Sequence, residues 1–212
     1  GQEMILGLIA IIDYGVGNLG SVEKAFGFIG CDTVITSDRQ TIIQSDAVVL
    51  PGVGAFADAM ESLNKAGMID VVKEVVKNDV PFLGICLGMQ LLFEYSEEGG
   101  ERVEGLGIFK GAIKQLPTDM GLKVPHMGWN MLKLEKNCAL FENLPENPFV
   151  YFVHSYYLDS EDRDIIVATA NYGIDFDVAI GKDKIFAVQF HPEKSGEVGI
   201  AMLRNFVKMA GI

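Results

Sequence analysis

Over the first hundred residues, apolar positions fall in short unbroken runs separated by stretches with helical spacing. Leu8–Ile12, Thr33–Thr36, Ala47–Leu50 and Phe82–Ile85 are continuous apolar or β-branched runs, the pattern of strands buried on both faces. Between them Leu19–Ile29, with Asn18 as its cap, Ala55–Lys65, Ile69–Asn78 and Leu87–Tyr95 read as helices. This alternation predicts a parallel sheet covered by helices on both sides. After about residue 100 the texture changes. Ile108–Leu116, Asn130–Leu134, Val150–Leu158, Ile165–Ala170, Val178–Ile180 and Ile185–Phe190 are strand-like with turns between them, and Gly199–Met209 reads as a closing helix. The second half is therefore expected to be β-rich and partly antiparallel. No linker, internal repeat or low-complexity stretch interrupts the 212 residues, so the pattern predicts one α/β domain.

Charge narrows the range of partners. Seventeen Lys and Arg against twenty-nine Asp and Glu give a net charge of −12. Nonspecific binding to nucleic acid or to an anionic membrane surface needs a basic footprint that this chain lacks. The apolar run from Met4 to Ile12 has no basic leader and is too short to span a bilayer, so it reads as a buried strand. Gly1-Gln2-Glu3 ahead of it read as an expression leftover, which places the domain at residues 4–212. Cys31, Cys86 and Cys138 are odd in number, widely spaced and without a CxxC pair, as expected of free thiols in a reducing cytosol.

Two motifs compete for the chemistry. Gly15-Val16-Gly17-Asn18-Leu19-Gly20 matches G-x-G-x-x-G between a strand and a helix, with Asp38 about where a ribose-binding acid would stand. Against a dinucleotide site, Asp13-Tyr14 separates the strand from the first glycine, and the chain is short for a dinucleotide domain plus a substrate domain. The other motif is Gly84-Ile85-Cys86-Leu87-Gly88, a cysteine version of the nucleophile elbow. A sharp strand-to-helix turn holds the nucleophile in a strained conformation, and only very small residues fit two positions to either side. The helix that follows would point its positive end at the sulfur and favour the thiolate, with the Leu87 N–H left free for an oxyanion.

A thiolate nucleophile needs a proton shuttle. In His191-Pro192-Glu193, after a strand, alternation places His191 and Glu193 on one side, so that Glu193 can orient the ring and leave its other nitrogen to Cys86. His126 and His154 have no carboxylate near them in sequence, and His126 reads as a satisfied core or surface residue. The spacing of the three histidines matches no metal motif. Pro51-Gly52-Val53-Gly54 ends the third strand at the same sheet edge as the elbow. It is either a plain turn or a loop whose backbone N–H groups approach the reacting carbonyl.

Taken together these pieces resemble the class I, triad-type glutamine amidotransferases. PGVG (51–54), GICLGMQLLFE (84–94) and QFHPEKS (189–195) stand in that family's order and spacing, and the likeness runs from about Met4 to the C-terminus. IIDYGVGNLGS (11–21), KVPHMGWN (123–130), YFVHSYY (151–157) and HPEKSG (191–196) resemble those glutaminase subunits of the class that serve a separate cyclase. The resemblance implies a single-domain fold with a mixed, mostly parallel central sheet flanked by helices and a β-rich C-terminal half. It implies that Cys86 attacks the side-chain amide of L-glutamine, that His191 protonates the leaving ammonia and then activates water, and that Glu193 orients His191. Leu87 and the Gly52-Val53 loop would form the oxyanion hole, the loop after a backbone flip, and Gly52, Gln90, Ser155 and Tyr156 would hold glutamine. No cofactor and no metal is implied. Ammonia would pass to a cyclase subunit built as a (β/α)8 barrel, with Asn18, Trp129, Tyr151 and Lys194 as interface candidates and Gly15–Ser21 on the partner-facing rim. Trp129 and Tyr151 read equally well as buried residues, and Lys194 as a solvated lysine. The alternatives are the amidotransferase of another synthase, such as one that amidinates a surface sugar, a stand-alone cysteine hydrolase, and a noncatalytic dinucleotide-binding module.

Overall fold

A computed structural model describes residues 7–212; Gly1–Glu3 and the first residues of the Met4–Ile12 run lie outside the described residues. The elements follow in chain order. They are β1 (Leu8–Ile12), α1 (Leu19–Phe28), β2 (Asp32–Thr36), α2 (Arg39–Gln44), β3 (Ala47–Leu50), α3 (Phe56–Lys65), α4 (Ile69–Lys77), β4 (Phe82–Ile85) and α5 (Leu87–Gln90). The second half holds β5 (Tyr95–Ser96), β6 (Val103–Glu104), β7 (Gly111–Gln115), β8 (His126–Met131), β9 (Lys133–Leu134), β10 (Phe149–His154), β11 (Tyr156–Ser160), β12 (Ile166–Tyr172), β13 (Ile174–Lys182), β14 (Ile185–Val188) and α6 (Gly196–Met209).

The main sheet runs β2-β1-β3-β4-β14-β13-β11-β7-β5-β6, with β12 on β13 and β9 on β12. From β2 to β14 every pairing is parallel, and beyond β14 the antiparallel pairings begin. β1, β3, β4 and β14 are buried almost throughout, because α-helices cover both faces of this half and leave no polar side. β8 and β10 form a separate antiparallel ribbon. Its inner face buries His126, Val150, Phe152 and His154, while Met127, Trp129, Met131 and Phe149 are exposed on the outer face. Among the described residues no helix is long and apolar enough to cross a membrane.

The strand predicted over Asn130–Leu134 is divided between β8 in the ribbon and β9 on the main sheet, and two further expected elements differ, each for a local reason. The helix predicted over Leu87–Tyr95 ends after one turn at Gln90. Leu91, Leu92 and Phe93 are fully buried, and their carbonyls, with that of Glu94, accept hydrogen bonds from the N–H groups of residues 105–109 instead of continuing a helix. The strand predicted over Val150–Leu158 is two strands in two sheets. The chain leaves the ribbon at Ser155, whose carbonyl accepts from Leu116 N–H at 2.9 Å, and enters the main sheet at Tyr156 opposite Gln115. The short helix α2 escaped the periodicity reading; Asp38 caps it, its carboxylate accepting from Thr41 N–H at 3.0 Å and from the Thr41 hydroxyl at 2.7 Å.

Candidate active site

β4 and β14 are parallel neighbours, Val188 opposite Ile85, so both chains leave the sheet at the same carboxyl edge. Cys86 follows β4 directly and sits at φ 55°, ψ −114°, the strained turn expected of an elbow. Its N–H donates to Val188 O at 2.8 Å. The elbow's glycines are sterically required. A Cβ on Gly84 would lie 3.1 Å from Gly88 O, and one on Gly88 would overlap Leu50 O.

His191 and Glu193 come together by another route than the predicted strand alternation. β14 ends at Val188, and Pro192–Lys194 forms a 3-10 turn that brings the carboxylate back under the ring. His191 Nδ1 lies 2.7 Å from Glu193 Oε1, both side chains 2% exposed. A carboxylate only accepts, so Nδ1 carries the hydrogen. Nε2, which has no partner of hydrogen-bond geometry among the described residues, is left for Cys86. Burial alone would lower the imidazole's pKa. The neighbouring Cys86 sulfur and the Glu193 carboxylate outweigh burial and raise it to about 9. The backbone of His191 is tied to the outer ribbon: its N–H donates to Tyr151 O at 3.0 Å, and Ser195 Oγ bridges His191 O at 2.6 Å and Tyr151 N–H at 3.0 Å.

Beside the sulfur lies a cavity of about 360 Å³, lined by Val53, Gly54, Cys86, Leu87, Gln90, Glu98, Pro125, Val153, His154, Ser155 and Tyr156. Its size suits a small ligand. A larger surface hollow of about 830 Å³ at Leu134–Asn143 touches none of the triad and offers no comparable chemistry. Of the predicted glutamine-holding residues, Gln90, Ser155 and Tyr156 line the smaller cavity. Gly52 instead lines a separate narrow crevice with Asn18, Val22 and Pro51, beside His191 and Glu193.

The expectation of a free Leu87 N–H is corrected. That group donates to Gly52 O at 3.1 Å, so the Gly52-Val53 peptide turns its carbonyl toward the elbow. In a planar trans peptide the N–H points the opposite way, and Val53 N–H therefore faces away from the elbow. The expected helix dipole is also weaker than predicted, because α5 is a single turn. Tyr14, which the sequence reading passed over, holds the loop: its buried hydroxyl donates to Pro51 O at 2.7 Å, and burial pushes its phenol well above the usual range.

One glycine of the motif packs beside this loop. Gly17, at φ 116°, lies where a Cβ would come 3.5 Å from Gly52 Cα, while a Cβ on Gly20 would meet nothing. Asp38 is committed to its helix cap. Asn18 occupies the cap position of α1, but its side chain makes no capping hydrogen bond and is exposed. Trp129 is 57% exposed and packs edge-on against Tyr151 with centroids 6.1 Å apart, so the core reading of Trp129 does not hold; Lys194 is exposed.

His126 and His154 form a buried relay that sequence reasoning missed. Tyr156 O can only accept, so His154 Nδ1–H donates to it at 2.8 Å and His154 Nε2 is an acceptor. His126 Nδ1–H then donates to that nitrogen at 3.0 Å, and Asn130 Nδ2–H donates to His126 Nε2 at 3.4 Å. His126 stacks between Phe152 and Tyr172, at 4.8 and 4.1 Å. Burial lowers both pKa values to about 4, keeping the pair neutral. With all four ring nitrogens engaged, neither ring has a lone pair for a metal. Both histidines lie in the quoted motifs VPHMGWN and FVHSYY, but only their pairing across the ribbon gives the spacing meaning.

A cysteine elbow beside a carboxylate-oriented histidine, with a cavity at the sulfur, is a geometry suited to thiol-dependent acyl transfer on an α/β sheet. The chain belongs to the glutamine amidotransferase class-I family, whose pattern matches residues 10–210. It is 51% identical over 202 residues to the imidazole glycerol phosphate synthase subunit HisH of Caldanaerobacter subterraneus subsp. tengcongensis, covering 95% of this chain and 98% of the relative. It is 49% identical over 198 residues to the subunit of the same name from Moorella thermoacetica, covering 93% of each. Among solved structures, a glutamine amidotransferase matches with TM-score 0.74 at 18% identity over 97% of this chain and all of that one. PurLQS from Thermotoga maritima also matches with TM-score 0.74, at 17% identity over 95% of this chain and 98% of that one. These last two likenesses show the fold.

Proposed function

We propose that this chain is the glutaminase subunit of an imidazole glycerol phosphate synthase, with Cys86, His191 and Glu193 as its catalytic triad. The observation that carries the reading is the elbow: Cys86 stands beside a histidine whose Nδ1 is held by a buried carboxylate and whose Nε2 is free to serve it. Glutamine enters the cavity with its side-chain amide at Cys86. Gln90, Ser155 and Tyr156 line its path, and the Glu98 carboxylate complements the substrate's α-ammonium group. The sulfur attacks the amide carbon, His191 gives its proton to the departing ammonia, and the same ring then takes a proton from water as the γ-glutamyl thioester is hydrolysed.

The oxyanion of each tetrahedral intermediate needs donors. Leu87 N–H is occupied by Gly52 O and Val53 N–H points away, so one rotation of the Gly52-Val53 peptide would release the first donor and supply the second. Losing one such donor typically costs ~10²–10³ in rate. A glutaminase resting in this state is nearly silent, which favours a partner-gated subunit over a stand-alone hydrolase. The partner in this reading is a cyclase subunit with a (β/α)8 barrel. It would dock on the face formed by Asn18, the outer side of the β8–β10 ribbon with Trp129 and Tyr151, and Lys194, and would receive the ammonia there. Free Cys31, Cys86 and Cys138 fit a reducing cytoplasm. The test is glutamine hydrolysis by the chain alone, with the cyclase subunit, and with that subunit and its nucleotide ligand. The expected order is low, low to modest, and high; strong activity of the isolated chain contradicts the gated reading.

A further inference from the structure

Gln189, two residues before the catalytic histidine, is fully buried, yet it carries a polar amide that no step above uses. A buried amide is costly unless both ends are bonded, so its partners reveal its purpose. Its orientation follows from the network. Tyr156 O is an acceptor only, so the group Gln90 presents to it at 3.2 Å is its Nε2. The same nitrogen donates to Gln189 Oε1 at 2.8 Å. Gln189 therefore turns its oxygen to Gln90 and its nitrogen to Cys86, with Nε2 3.7 Å from Sγ, a hydrogen-bond length for the larger sulfur atom. The backbone is fixed as well, Gln189 N–H donating to Val178 O at 2.8 Å.

The geometry points to Gln189 as a positioning residue that holds the charged Cys86 sulfur by an N–H donor and is itself oriented by Gln90. This rests on Cys86 being the nucleophile proposed above. The other polar group near the sulfur, the acceptor Val153 O at 3.9 Å, suits only the neutral thiol, which can donate to it. Gln189 Nε2 suits the thiolate, to which it donates a charge-assisted bond. The single-turn helix α5 contributes little field of its own, so this donor and the His191 imidazolium are the groups that face the negative charge. Gln90 also lines the cavity, so the residue expected to meet glutamine fixes the one that holds the nucleophile.

The test is alkylation of Cys86 by iodoacetamide as a function of pH, in the full-length chain with Cys31→Ser and Cys138→Ser. It needs neither glutamine nor partner, so it stands apart from the glutaminase reading: if that reading fails, the native protein hydrolyses no glutamine while the alkylation result is unaffected. Gln189→Met removes the donor, and the alkylation midpoint should rise by about one pH unit or more, the equivalent of a ~10-fold loss of thiolate at fixed pH. The high-pH plateau should equal or exceed the native rate, because a less stabilised thiolate is the stronger nucleophile. Gln189→Glu, isosteric and still an acceptor for Gln90, places oxygen at the sulfur and should move the midpoint at least as far; it carries the test if Gln189→Met does not unfold cooperatively. With the partner present, kcat for glutamine should fall ~10-fold or more while KM changes less than about threefold. A folded variant whose midpoint stays within a few tenths of a unit of the native one overturns the proposal.

Discussion

The buried His126–His154 pair makes stability depend on pH in a calculable way. Both rings have folded-state pKa values lowered from 6.5 to about 4, chiefly by burial. Between those limits the unfolded chain binds more protons than the folded one. The contribution is therefore complete above pH 6.5 and is lost as pH falls toward 4. At pH 5 the loss is about 2 kcal/mol for one such histidine and about 4 kcal/mol for the pair, because both folded rings are still mostly neutral there and their coupling changes little. Many carboxylates also titrate in this range, so the comparison must be differential. The double variant His126→Phe/His154→Gln keeps a ring at the stacked position and an amide near Tyr156 O but cannot titrate. Denaturant unfolding of both proteins at pH 8 and pH 5 should show the native chain losing about 4 kcal/mol more than the variant over that interval. Equal losses, within about 1 kcal/mol, would mean that the pair is solvated or already charged and that the relay is not as assigned.

Other consequences are equally direct. Cys86→Ala and Cys86→Gly should both abolish glutamine hydrolysis, but the glycine variant should melt ~2–4 °C higher, because glycine removes ~1 kcal/mol of strain at φ 55°. Glutaminase activity should decline above about pH 9 as His191 loses the proton it gives to ammonia. Glu193→Gln removes a charge that holds that proton, and should move the alkaline limb of the pH–rate profile to lower pH. Trp129→Ala should weaken cyclase binding by ~2 kcal/mol or more, read by titration calorimetry, while changing the stability of the isolated chain by no more than ~0.5 kcal/mol.

What could be read ahead of the structure divides along physical lines. The parallel half was legible because strands buried on both faces have no polar alternation to confuse them, and Ala47–Leu50 and Phe82–Ile85 match residue for residue. The elbow and the His191–Glu193 pair were legible because each is a short local constraint, although the pair closes by a turn and not along a strand. The early end of the helix after Cys86 was not, since it depends on residues 105–109 claiming the carbonyls of Leu91–Glu94. Gln189 and the His126–His154 relay share that fate: each depends on a partner more than twenty-five positions away. The resting Gly52-Val53 peptide is a rotation of one backbone unit that leaves no trace in residue type.

The central claim is that Cys86 takes the γ-glutamyl group of glutamine, so the most direct measurement is the covalent intermediate itself. The chain, mixed with its cyclase subunit and nucleotide ligand, would be given glutamine, quenched in acid and digested for mass spectrometry. One added γ-glutamyl group is expected on the peptide that contains Cys86, and none after Cys86→Ala. Undiminished glutamine hydrolysis by the Cys86→Ala protein, or the adduct on Cys31 or Cys138, would contradict it.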